Sequence, residues 1–91
     1  MRIISQDGTM DYPYEQCGVF LGEDDHEARQ YIYAYPIGGE VAEMLFASYK
    51  SREAAEDALR RMRLRAIESE YKRHLKFFRF PEDQGEYFFK V

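Results

Sequence analysis

An α+β fold, with an antiparallel sheet of four to five strands carrying one long helix, is what this 91-residue sequence predicts. Two observations predict it. The first half is a series of short β-prone runs broken by Gly- and Pro-bearing turns. The second half contains a helical pattern, Arg52 to about Lys76, with no Gly or Pro inside it. The order is therefore β-β-β-β-α, and Tyr87–Val91 ("YFFKV") can add a final strand.

The elements follow in chain order. Met1–Ser5 reads as a short strand through Ile3 and Ile4, and Asp7-Gly8 is a strong turn dipeptide. Tyr12-Pro13 forces an extended backbone and removes a donor, which marks a sheet edge. Tyr14–Gly22 reads as the second strand, and Glu23-Asp24-Asp25-His26 as a solvated turn. Ala28–Ile37 is β-prone throughout. Gly38-Gly39 returns the chain into Val41–Tyr49, so these two runs form a hairpin. Ser51 is the expected N-cap of the helix, and the acids Glu53, Glu56 and Asp57 suit the positive end of its dipole. Glu56–Arg60, Asp57–Arg61 and Glu68–Lys72 have the favourable acid-first i,i+4 order.

Ninety-one residues make a single domain spanning 1–91, because a second core would leave neither half enough apolar surface to bury. A hydrophobic content of 45% argues for a packed chain, and fifteen Tyr and Phe must find places in a core, an interface or a binding surface. No run of about eighteen apolar residues exists, which argues against membrane insertion. The opening residues lack the apolar stretch of a secretory signal. A lone cysteine, Cys17, lies within a strand pattern and reads as a small buried hydrophobe. These features predict a cytoplasmic protein.

Charge is divided along the chain. Residues 1–57 carry four Lys/Arg and twelve Asp/Glu, whereas residues 58–79 carry eight and two, within a net charge of −4. Such a bipolar molecule suits an anion at its helix or a second copy of itself.

Two patterns predict a homodimer or higher oligomer. Tyr31, Tyr33 and Tyr35 share one strand face while Ile32 and Ala34 share the other, so both faces are apolar. In the next strand Val41, Leu45 and Ala47 oppose Ala42, Met44 and Phe46. The helix has an apolar line through Ala55, Leu59, Met62 and Ala66, then a second through Ile67, Tyr71, Leu75 and Phe78, about 120° round. The second line is the expected subunit interface.

Enzyme templates fail: the sequence has no P-loop, GxGxxG, GxSxG, HExxH or CxxC. With only His26 and His74, neither the Asp24-Asp25-His26 turn nor the Glu70/His74 pair makes a convincing metal site, so no metal or cofactor is expected. Asp7, Asp11 and Glu15 fall in turn and edge segments, with no base beside them. Two features remain as ligand-binding candidates. The row Tyr31, Tyr33, Tyr35 can act as a stacking platform, and Arg60 and Arg63, within the basic segment Arg60–Arg79, can grip a small anion. An acidic chain whose arginines surround its helix argues against duplex nucleic acid as a partner.

The opening "MRIISQDGT", followed by Asp11, Pro13, Tyr14 and Glu15 in the pattern D-x-P-Y-E, resembles small proteins of phages and prophages of Firmicutes, notably gut clostridia. "ASYKSREAAEDAL" and "FRFPED" resemble the strand–helix junction and C-terminal end of those proteins. The resemblance implies an accessory gene product working in the cytoplasm of a bacterial host, and it brings no catalytic residues with it. The expected function is non-enzymatic binding, with anti-defence action by blocking a host protein. The alternatives are a sponge holding a nucleotide-type molecule between Tyr and Arg side chains, and a structural or regulatory accessory protein without a ligand.

Overall fold

A computed structural model describes residues 1–24, 29–38 and 43–83. The fold is α+β, but among the described residues the strands form two three-stranded sheets where the sequence predicts one. The elements are β1 (Arg2–Ile4), β2 (Asp11–Pro13), β3 (Cys17–Asp24), β4 (Arg29–Pro36), β5 (Met44–Tyr49), α1 (Arg52–Ser69) and β6 (Phe77–Arg79). Tyr87–Val91, Val41, Ala42, Gly39, Asp25 and His26 lie outside the described residues.

The first sheet has the order β2-β1-β6. Gly8, at φ +79°, closes the turn from β1 towards β2, which pairs antiparallel with Ile3 opposite Tyr12. Pro13 ends this edge strand, and Tyr14–Gln16 form a single 3-10 turn before β3 begins at Cys17. The expected second strand therefore starts three residues late, and it runs two residues past Gly22 into the expected turn. On the other side β6 lies parallel to β1, with Ile3 opposite Phe78.

The second sheet is the antiparallel meander β3-β4-β5. Its inner face carries Ile32 and Ala34 of β4, both fully buried, and α1 packs across β4 and β5 with Ala54, Ala55, Ala58, Leu59 and Met62. Three alanines at this contact let the helix backbone approach the sheet closely. A β-bulge interrupts the β4–β5 ladder: Ile32 faces Ala47, but Tyr33 faces Leu45. Phe46 is the extra residue. Leu45 and Ala47 were expected on one face, but the bulge separates them; Ala47 is buried and Leu45 is 45% exposed.

The helix is shorter than expected. Ser51 caps it as predicted, accepting from Ala54 N at 3.1 Å, but it ends at Ser69. Residues 70–76 instead turn, and Lys76 O accepts from Arg2 N at 2.8 Å as β6 joins β1. Phe78 and Phe80 then point inward, while Phe77 is 56% exposed. Asp57 accepts from both Arg60 and Arg61, and Glu56 pairs with Arg52 where Arg60 was expected.

The two sheets are joined through Gln6 and the Phe80-Pro81 segment. Gln6 N donates to Phe46 O, its Oε1 accepts from Ser48 N, and its Nε2 donates to Ser48 O and Pro81 O. The side-chain amide thus continues the ladder on the edge of β5 away from β4. Phe80 packs edge-on to Phe46 and Phe78, with ring centroids 6.2 and 5.2 Å away.

Candidate functional site

The outer face of the second sheet is built from alternate residues of β3 and β4. Register sets Gly18 opposite Tyr35, Phe20 opposite Tyr33 and Gly22 opposite Tyr31. The two glycines make room for the rings. A Cβ at Gly18 would lie 2.3 Å from Tyr35 Cζ, and one at Gly22 would lie 3.0 Å from Tyr33 Cε2. Phe20 stacks on Tyr33 at 5.4 Å and 25°, and Tyr35 and Tyr31 extend the row at tilted angles. Leu45 borders Tyr33 on the β5 side. These rings pack on one another and not on the buried core, which lies on the other side of the sheet.

The expected tyrosine row lies along one face of the sheet, and two residues that the sequence reading missed lie in it. Phe20 and Leu45 complete it. The signal for Phe20 was Gly18-x-Phe20-x-Gly22, a strand in which flat rings can lie across alternate glycines. Leu45 gave no such signal, because only the bulge turns it outward.

Arg60 and Arg63 do not join the tyrosines. They project from α1, which covers the inner face of the sheet, and they line a groove of about 390 Å³ with Leu21, Glu56, Leu59 and Leu64. None of the three tyrosines lines that groove. Nor do Ile67, Tyr71, Leu75 and Phe78 form a helical stripe. Ile67 and Tyr71 are 57% and 78% exposed near the helix end, Leu75 lies in the following turn, and Phe78 is buried in β6. The arginines miss the tyrosines because α1 covers the opposite face of the sheet, and the stripe is broken because the chain leaves the helix at Ser69 to pair with β1.

The acids of the N-terminal segment serve the turn. Asp7 Oδ1 accepts from Ser5 Oγ (2.7 Å), Thr9 N (3.0 Å) and Thr9 Oγ1 (2.7 Å). These bonds, the Ser5 hydroxyl first, hold its carboxyl down at about 2 from 3.8. Asp11 pairs with Arg2, and the Met1 ammonium 2.9 Å from Glu15 lowers that carboxyl too. Burial, helped by the nearby Glu15 charge, pushes the Cys17 thiol up, so it stays protonated at neutral pH. No cluster of three or more His, Cys, Asp or Glu able to hold a metal occurs among the described residues. No helix among them is long and apolar enough to cross a membrane.

The Asp7 turn makes a pH-dependent contribution of known sign. A carboxyl whose pKa is lower in the folded state stabilises fully above its unfolded value and loses that effect as pH falls through its folded value. The difference in melting temperature between the wild type and Asp7→Asn is therefore expected to be constant above about pH 5 and to shrink between pH 4 and 2. Thermal melts across that range check it, and a gap that does not change with pH refutes it.

Comparison with family models, with curated proteins and with solved structures returns no match.

Proposed function

We propose that this chain is a non-enzymatic binding protein that uses the outer face of the β3-β4-β5 sheet to engage another protein. The observation that carries the reading is the continuous row Phe20, Tyr31, Tyr33 and Tyr35 with Leu45 beside it, on the face opposite the helix. Aromatic side chains with both an apolar body and a polar tip are enriched at protein interfaces, and a contiguous apolar patch on a small domain marks a contact surface. The acids Asp7 and Asp11 are engaged in the turn and edge, and the thiol is held protonated. The resemblance of the opening residues to phage and prophage proteins supports the finer reading, an accessory protein that blocks a host defence protein in the bacterial cytoplasm.

A second copy of the chain is the other partner such a face suits, and the two readings separate experimentally. Leu45→Glu and Tyr35→Ser alter exposed positions and leave the core intact. Retention of a host protein from lysate by the wild type, with loss of retention in both variants, is the expected result. No retained protein at low salt, or equal retention by the variants, refutes host blocking. Light scattering of the pure wild type decides the second reading: a mass above one chain that falls in Leu45→Glu supports self-association through this face, and the mass of one chain excludes it.

A further inference from the structure

We propose that the groove between α1 and β6 binds the phosphoryl group of a small phosphorylated molecule whose apolar body lies on the groove wall. The groove has a volume of about 310 Å³, at the lower end of the range for small-molecule sites. Three arginines line it, Arg61, Arg65 and Arg79, against one acid, Glu68. Each guanidinium is set in place by the chain. Arg61 Nε is 2.8 Å from Asp57 Oδ2, Arg65 donates to Phe77 O at 3.1 Å, and Arg79 donates to Gln6 O at 3.1 Å. One such bond uses a single donor of the five on a guanidinium, so Arg65 and Arg79 keep most of their hydrogen-bonding capacity for an anion.

Gly8 makes the placement of Arg79 feasible. A Cβ there would lie 3.2 Å from Arg79 Nη2, and the backbone at φ +79° already favours glycine. The turn after β1 thus packs against the guanidinium of Arg79, an arginine of the groove lining. Glu68 lies 3.7 Å from Lys72, which offsets its charge. Leu64, half exposed, together with Phe78 and Pro81 supplies an apolar wall. Two or three rigid forks around one small volume suit a phosphate better than a carboxylate, because a phosphate presents more oxygens to separate donors. This site is separate from the aromatic sheet face, so either proposal can fail alone.

The test is a titration of the full chain with adenosine monophosphate, inorganic phosphate and adenosine, followed by amide NMR shifts. Saturable shifts confined to residues 61–68 and 77–81 are expected for adenosine monophosphate, with weaker binding of inorganic phosphate at the same residues and none of adenosine. Arg61→Gln and Arg79→Gln should each weaken binding roughly tenfold, the effect of losing a charge-assisted hydrogen bond. Glu68→Gln should tighten it several-fold, an outcome that partial misfolding cannot imitate. Arg73→Gln, an exposed arginine outside the groove, should change nothing. Absence of saturation in the millimolar range overturns the proposal, as does an Arg73→Gln effect equal to that of Arg79→Gln. Inorganic phosphate binding as tightly as adenosine monophosphate overturns the part assigned to the apolar wall.

Discussion

Phe80→Ala is expected to bring this domain to the verge of unfolding. Phe80 is 1% exposed and holds together the aromatic cluster in which Phe46 and Phe78 meet it edge-on. Truncating a buried Phe to Ala typically costs about 3–5 kcal/mol, the sum of lost transfer energy and the cavity left behind. A domain of this length has a total stability on the order of 5–14 kcal/mol, so one substitution removes a large part of it. At about 4–8 °C per kcal/mol, the melting temperature should fall by roughly 12–40 °C. Phe77, the neighbour but two, is the internal control. It is 56% exposed, and Phe77→Ala should cost about 1 kcal/mol or less. Equal effects at the two positions would mean that the segment from Phe77 to Phe80 does not present alternate residues to the core.

The second large effect is expected at Gln6, a residue of no obvious importance in the sequence. Its side chain makes three hydrogen bonds, at 3.1, 3.1 and 3.0 Å, to Ser48 O, Pro81 O and Ser48 N. Gln6→Ala removes all three and takes the Gln6 partner from Ser48 N and Ser48 O, while Pro81 O keeps the bond it accepts from Tyr49 Oη at 2.7 Å. At about 1 kcal/mol per bond, with an added desolvation cost for the groups left behind, the loss should be about 2–4 kcal/mol. Gln6→Glu is a sharper probe because it keeps the shape. It loses both Nε2 donors and sets a carboxylate against two carbonyl oxygens, so it should destabilise at neutral pH and recover as the carboxyl is protonated. Denaturant midpoints measure the energy, and faster amide exchange at Ser48 locates it at the junction of the sheets. A Gln6→Ala midpoint within error of the wild type refutes the bridging role.

Both effects arise where the chain closes on itself over long sequence separations, and those contacts were the hardest to see in the sequence. "FRFPED" is apolar at alternate positions, which is a strand signal, yet it follows a run from Glu70 to Lys76 without a helix breaker. Local reading continues the helix through that run. The pairing of Phe77–Arg79 with β1, more than seventy residues away, ends it at Ser69 instead. The interface stripe expected through Tyr71, Leu75 and Phe78 disappears for the same reason. The tyrosine row was legible because period-2 alternation over Arg29–Pro36 is local: Tyr31, Tyr33 and Tyr35 alternate with Ile32 and Ala34, although the buried Gln30 gives no apolar signal. Its union with Arg60 and Arg63 was not, since a sequence does not say which face of a sheet a helix will cover.

The sequence by itself determined the features that a few neighbouring residues can specify. It set the turn at Asp7-Gly8, where glycine takes a positive φ and the carboxylate gathers its own turn. It set the Pro13 edge, the β4–β5 hairpin, the Ser51 cap, and the apolar line of Ala55, Leu59 and Met62 that meets the sheet. Only the tertiary structure decided that the strands divide into two sheets, that β6 runs parallel to β1, and that a bulge at Phe46 turns Leu45 outward while Ala47 stays buried. It also decided that Gln6 joins the sheets and that Arg61, Arg65 and Arg79 surround one groove. The physical reason is common to all of these. Turns, caps and amphipathic faces are stabilised by groups a few residues apart, whereas sheet partition, bulges and side-chain bridges depend on which distant backbone groups satisfy one another when the core closes.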